Sequence, residues 1–347
     1  MKAIVIQRPG EVVYEEVAKP QVRPVDVLVK VRYAGICGTD LEILDGKFSL
    51  VSDGLVHYPV RIGHEWSGIV EEVGSQVHDF KPGDRVISDN WASCGECDDC
   101  LSGNFRECKN ARALGTCNAY DGAFAEYECM PWWHFHIVPD TVPLDAAAVL
   151  EPATIANNGI VRSRMTPDSN VLVMGTGPIG LAAVGLLRCK GCKKIILAGR
   201  RDNKLAIGRQ MGADVLINMT KEDLKESVMR ATDGKGADVV LEVSGAIPCV
   251  HQSIEVAATN GVISLISFYK TPISELDLNR LVDYCISIVG VGGQTGVLEV
   301  LGYLADGSLD LSPLITHRFT FDQAVDAMRN ASQYAETKLK MLVEMPE

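Results

Sequence analysis

The stretch Val171-Leu172-Val173-Met174-Gly175-Thr176-Gly177-Pro178-Ile179-Gly180 constrains the fold more than any other. Its four leading apolar residues read as a buried strand, and the apolar run over 178–189 reads as a helix. Between them the glycines keep the spacing G-x-G-x-x-G. That spacing is a weak signal alone and a strong one between strand and helix, where it is the fingerprint of a dinucleotide site. Gly175 permits the tight turn, Gly177 lets backbone approach a pyrophosphate, and Gly180 lets helix pack on strand. Thr176, Pro178 and Ile179 complete the loop and open the helix, whose free N–H groups and dipole favour phosphate.

Strands and helices alternate from there. Residues 194–198, 214–217, 238–243 and 262–266 read as strands, and 204–211 and 224–231 as helices. This is the rhythm of βαβ units and a parallel sheet. The first 155 residues have another rhythm, short β-branched runs such as 27–31, 68–73 and 84–87 broken by Gly, Pro and Asp. Lys81-Pro82-Gly83-Asp84 is a turn in which proline presets φ and glycine supplies positive φ. A mostly antiparallel, barrel-like β domain follows. After a helix over 297–305, short strands at 315–319 and 339–343 are expected to return to it. The expected architecture is α/β, a β-rich domain (1–155 and 294–347) with a doubly wound parallel-sheet domain (156–293) inserted.

The chain has 347 residues and a formal net charge of -12, which argues against nucleic acid or an anionic membrane as partner. It contains no apolar run of membrane-spanning length and no signal-peptide pattern, so a cytoplasmic setting is expected. Its eleven cysteines then need an explanation other than disulfides. Cys94, Cys97, Cys100 and Cys108 have the spacing C-x2-C-x2-C-x7-C, which reads as a tetrahedral structural zinc site. An iron–sulfur cluster is the alternative, but the fourth cysteine lies too far on and no proline follows it. Cys189 and Cys192 read as packing thiols at a helix end, and Cys117, Cys129, Cys249 and Cys285 as core thiols.

A second set of chemistry-bearing residues is spread along the chain. Cys37 lies in Gly35-Ile36-Cys37-Gly38-Thr39-Asp40, His64 and Glu65 in Gly63-His64-Glu65-Trp66, and Glu151 in Leu150-Glu151-Pro152. A His-Glu pair alone is most often structural. One thiol, one imidazole and one or two carboxylates together form a ligand set for a catalytic zinc with an open position.

With Gly122-Ala123-Phe124-Ala125-Glu126-Tyr127 these motifs make the chain resemble the zinc-dependent medium-chain dehydrogenases/reductases over nearly its whole length. Within that family it most resembles polyol and sugar-alcohol dehydrogenases, then threonine dehydrogenases. The resemblance implies a GroES-like catalytic domain, a Rossmann domain, alcohol–ketone interconversion of a small molecule, and a homodimer or homotetramer. It implies Cys37 and His64 as zinc ligands, Glu65 and Glu151 as carboxylates acting directly or through water, and Thr39 as the hydroxyl that passes the substrate proton. Three departures matter. Glu42 stands where many relatives have a relay histidine, and reads either as a replacement terminal base or as a solvated carboxylate. Asn90, Trp91, Ala92 and Ser93 include no histidine where threonine dehydrogenases have a catalytic one. Val291-Gly292-Gly293-Gln294 replaces the Arg-Tyr pair of sorbitol dehydrogenases. A small polyol, a cyclitol or a sugar phosphate stays open as substrate, with a threonine-type activity or a non-catalytic nucleotide-binding role as alternatives.

The cofactor leaves its own trace. NAD-binding folds usually carry an acid about 20 residues beyond the glycines, on the ribose 2′-hydroxyl. Here the second strand ends Leu197-Ala198-Gly199-Arg200-Arg201, with a glycine opening space and two guanidiniums suited to a phosphate. NADP(H) is therefore expected over NAD(H). Asp202 opposes this if it turns toward the ribose, and otherwise caps the next helix.

Overall fold

The computed structural model describes residues 1–346, without the Arg106 side chain, and divides into two units. One joins Met1–Glu151 to the segment that begins at Ile315; the other is Pro152–Leu314. In the first, β1 (Lys2–Arg8) lies between β2 (Glu11–Glu16) and β4 (Val60–Arg61) in an antiparallel sheet. A larger sheet runs β10 (Phe135–Ile137), β6 (Arg85–Ser88), β5 (Trp66–Val73), β3 (Asp26–Ile36), β18 (Lys340–Glu344), β17 (Ile315–Thr320), with β9 (Tyr127–Pro131) also on β3. Only β17 and β18 pair in parallel within it. The β-branched residues Val27, Val29 and Val31 of β3 are fully buried, in a core shared with Ile4, Ile6, Phe124, Met130 and Val343. At the expected turn, Gly83 takes φ +95° and Lys81 N–H donates to Asp84 Oδ2 at 2.9 Å. The short pair β7 (Trp91–Ala92) and β8 (Arg112–Ala113) flanks the cysteine lobe.

The late return of the chain matters most for function. β18 runs antiparallel to β3 with Met341 opposite Ile36 and Leu342 opposite Gly35. That register carries Lys340 toward Cys37, just beyond the end of β3.

The second unit is a six-stranded, wholly parallel sheet in the order β13 (Val215–Asn218), β12 (Lys194–Gly199), β11 (Asn170–Met174), β14 (Ala237–Glu242), β15 (Ala257–Leu265), β16 (Ser287–Gly290). The edge strand β16 has no counterpart in the sequence reading, because its exposed and half-buried residues lack the apolar signature of the central strands. The unit also extends to Leu314 rather than ending at 293. The helix Val297–Ala305 stays with it because Val297, Val300 and Leu301 are buried. Asn157 adds bonds to Thr295 O at 3.2 Å and Glu299 Oε2 at 3.0 Å, and Lys190 pairs with Glu299 at 2.5 Å. Asn158 holds the Gly292 and Gly293 carbonyls at 2.9 Å each. No helix among the described residues is long and apolar enough to cross a membrane.

Candidate active site and nucleotide cradle

Cys37 follows the last residue of β3 and caps the helix Gly38–Leu44, its N–H donating to Asp40 Oδ2 at 2.8 Å. His64 and Glu65 sit on the bend between β4 and β5. Gly63 makes that bend at φ +106°, where a side chain would strike Phe124 at 2.7 Å. Glu65 O accepts from Gly35 N–H at 2.7 Å, which ties the bend to β3. The ligand atoms of Cys37, His64 and Glu65 consequently lie within 4.8 Å of one another.

Three carboxylates and a lysine shape this cluster. Glu65 Oε1 accepts from Lys340 Nζ, and both side chains are buried. Removing either partner would leave one buried charge unpaired, at a cost of about 3–5 kcal/mol. Burial opposes the Lys340 charge, yet Glu65 and Cys37 hold it above the ordinary lysine range. Glu151 opens the helix Glu151–Arg162 and accepts from Asn90 Nδ2 at 2.6 Å. Burial, then the Glu65 charge, push it up to about 7. Burial also opposes a charge on His64, but Cys37 and Asp40 outweigh it and hold the imidazole well above its usual range. Asp40 Oδ1 stands 3.6 Å from His64 Nδ1. Neither atom, nor Glu65 Oε2, has a hydrogen-bond partner among the described residues. A thiol, an imidazole and a buried carboxylate oxygen thus converge in surroundings that demand positive charge, and this donor set fits zinc.

Thr39 and Glu42 both lie on the helix Gly38–Leu44, three residues apart and hence on one face, and both are partly exposed.

The cysteine lobe is the second cluster. Its sulfurs are 3.6 Å apart for Cys94 and Cys108, 3.5 Å for Cys97 and Cys100, 3.8 Å for Cys97 and Cys108, and 3.9 Å for Cys94 and Cys100. Four Zn–S bonds of about 2.3 Å at tetrahedral angles set sulfurs roughly 3.8 Å apart. The Glu96 N–H turned on Cys94 pulls that thiol down to about 6. Gly95 takes φ +77° under the Trp133 ring, 2.3 Å from where a Cβ would sit. All eleven cysteines are free.

In the second unit β11 runs into the glycine turn. Gly175 takes φ +128°, and a Cβ on Gly180 would lie 2.0 Å from Gly175 O. Gly177 is the N-cap of Pro178–Cys189, with Pro178 in its first turn and nothing within 4 Å of its absent Cβ. The turn is therefore tight and open where phosphate would approach. Gly199 behaves otherwise than expected. The space above it is filled, Thr176 Cγ2 lying 2.4 Å from its ideal Cβ. Arg200 is exposed, and Arg201 is the N-cap of Asp202–Gln210. Asp202 accepts from Asn218 Nδ2 and Lys221 Nζ, each at 2.6 Å, and Lys221 and Asn218 hold it below the usual carboxylate range.

Nothing in the sequence marks Asp40, Asn90 or Lys340 for these places, although Asp40 lies inside the Gly35–Asp40 motif. Glu242 is likewise unmarked in the sequence; it is fully buried at the end of β14 and takes bonds from Tyr269 Oη and from Ser244 N–H, the latter at 2.8 Å.

The sequence profile of the alcohol dehydrogenase GroES-like domain matches residues 23–140, and that of the zinc-binding dehydrogenases matches 178–308. An L-threonine 3-dehydrogenase of Bacillus licheniformis is 35% identical over 95% of this chain and 96% of its own length. A sorbitol dehydrogenase of Bacillus subtilis is 30% identical over 99% and 97%. The crystal structure of a zinc-binding dehydrogenase from Sinorhizobium meliloti, bound to NADP, superimposes with a TM-score of 0.90 at 30% identity, covering 99% of this chain and 98% of that one. The chain belongs to the zinc-dependent medium-chain dehydrogenase/reductase family. It is an alcohol dehydrogenase that works with zinc and a nicotinamide cofactor on a small-molecule alcohol.

Proposed function

We propose that this enzyme interconverts a secondary hydroxyl of a polyol, cyclitol or sugar (phosphate) and the corresponding ketone, with Cys37, His64 and Glu65 as the catalytic zinc ligands. The carrying observation is the convergence of those three ligand atoms within 4.8 Å. Bound zinc supplies Lewis acidity toward the reacting oxygen, and the nicotinamide supplies the carbon that takes or gives hydride. The chain's own residues do the rest. Asp40 faces His64 Nδ1 and so leaves Nε2 for the metal. Glu151, outside the three-ligand group and tethered by Asn90, stays beside it as a second carboxylate. Thr39 takes the hydroxyl proton and passes it toward Glu42 on the same helix face.

Two further assignments belong to this reading. Cys94, Cys97, Cys100 and Cys108 hold a second, structural zinc, a role their tetrahedral sulfur spacing suits. NADP(H) is preferred over NAD(H). Asp202 is engaged by Asn218 and Lys221 rather than left for a ribose, and Arg200 is exposed at the end of β12. A homo-oligomer and a cytoplasmic setting complete the proposal. The edge strand β16 with exposed Leu278 and Val282 nearby supports the first, and the free cysteines the second.

A threonine-type activity is the second reading, favoured by the 35% identity to the Bacillus licheniformis enzyme. Against it, Asn90 stands before the cysteine lobe and is engaged with Glu151. A panel of polyols, polyol phosphates and threonine, assayed with both cofactors by absorbance of the reduced nicotinamide, separates the two. The highest kcat/KM is expected on a polyol or its phosphate with NADP; highest efficiency on threonine would replace the proposal with the second reading.

A further inference from the structure

We propose that Lys340 is a positioning residue that makes Glu65 a one-oxygen ligand and thereby keeps the metal site open for substrate. This rests on the reading of Cys37, His64 and Glu65 as catalytic zinc ligands. The two oxygens of Glu65 have different surroundings. Oε1 is taken by Lys340 Nζ, in a pair whose members are 3% and 1% exposed. Oε2 has no hydrogen-bond partner among the described residues. It lies against Gly35, where a Cβ would stand only 2.9 Å away, so the missing side chain is what leaves room for this oxygen. Lys340 and Gly35 come from the paired strands β18 and β3, so one piece of sheet register sets the surroundings of both oxygens.

The consequence is coordinative. A carboxylate free at both oxygens can chelate a metal through both, and the added ligand atom fills the position a substrate oxygen needs. A carboxylate with one oxygen held by an ammonium presents the other preferentially, because the cation draws the first away from a second positive charge. Cys37, His64 and Glu65 Oε2 then supply three ligand atoms and leave the fourth tetrahedral position vacant. The identity of the cation matters too. An ammonium is a point donor that satisfies one oxygen, whereas a guanidinium fork reaches for both. Glu151 is held differently, by the neutral amide of Asn90.

The test places Co2+ in the catalytic site of the full chain while zinc stays in the cysteine lobe, and reads the visible absorption and resistance to chelator. Tetrahedral cobalt absorbs more strongly than five- or six-coordinate cobalt. Lys340→Met is expected to bind the metal with a weaker visible band than the parent, as Glu65 closes on it with both oxygens. Lys340→Arg keeps the buried charge, and so remains measurable even where the Met variant does not fold. Its fork should draw Oε2 off the metal and lower affinity about tenfold. If only the Arg variant folds, its result decides alone. Parent-like spectra and chelator resistance in the variants that fold would overturn the role of Lys340. A parent protein that takes up no cobalt beyond the lobe would overturn the ligand reading instead.

Discussion

The two clusters of the first unit whose side chains could hold a metal are built on opposite plans. The lobe draws four thiols from the fifteen positions Cys94 to Cys108, and four of the sulfur pairs already stand 3.5–3.9 Å apart. The other cluster gathers Cys37, His64 and Glu65 from two segments. Around it stand Asp40, three residues beyond Cys37, and Asn90, Glu151 and Lys340 from further points along the chain. The first is closed and self-sufficient. The second has fewer ligands than zinc accepts, and each polar group in it is steered by another residue. A structural site is satisfied by its ligands, whereas a reactive one must hold an unfilled position against the tendency of nearby groups to fill it.

Substitutions should separate the plans. The largest effect is expected for Cys37→Ser and His64→Ala, which remove a ligand from the open cluster. Steady-state turnover should drop by about 10³-fold or more while thermal unfolding changes little. A folded Cys37→Ser enzyme with near-parental kcat would show that the open cluster holds no catalytic metal. The reverse pattern is expected of Cys97→Ser/Cys100→Ser. Loss of the lobe metal should lower the melting temperature by roughly 5–10 °C. The fraction still folded at low temperature should keep most of its kcat. A stable but inactive double variant would mean that the lobe takes part in the chemistry.

The contrast also explains what was legible in the sequence. Cys94 to Cys108 and Gly175 to Gly180 could be read because their geometry is local, and spacing along the chain is nearly spacing in space. Cys37, His64 and the two carboxylates were legible as residue types in short motifs. Their supports were not. Lys340 lies in Leu339-Lys340-Met341, where a lysine in a short strand reads as an exposed edge residue. Only the antiparallel register of β18 on β3 takes it into the site. Asn90 registered as a missing histidine rather than as the partner of Glu151. Gly199 suggested open space, a property no single position carries, and Thr176 fills it. The edge strand β16 escaped because half-exposed strands lose the apolar run that marks buried ones.

Thr39→Val should lower kcat about 10²-fold, and Glu42→Gln by less than about tenfold with a displaced pH–rate profile, cofactor KM staying near parental in both. An unchanged rate and profile in Glu42→Gln would leave Glu42 as a solvated carboxylate. Confined to the cofactor is the effect expected of Arg200→Ala, in the unit that holds neither cluster. It should raise the KM for NADP(H) by about tenfold and leave NAD(H) unaffected, as expected for one charge-assisted contact to a phosphate. Equal changes for both cofactors would remove the 2′-phosphate from the explanation.

Metal stoichiometry is the most direct test of the division into a closed and an open site. Protein purified without chelator and analysed for zinc should contain two ions per chain, and Cys37→Ser should retain one, still bound at Cys94, Cys97, Cys100 and Cys108. A single ion in the parent that survives Cys37→Ser in full, or two ions that both survive it, would contradict the assignment of a catalytic zinc to Cys37, His64 and Glu65.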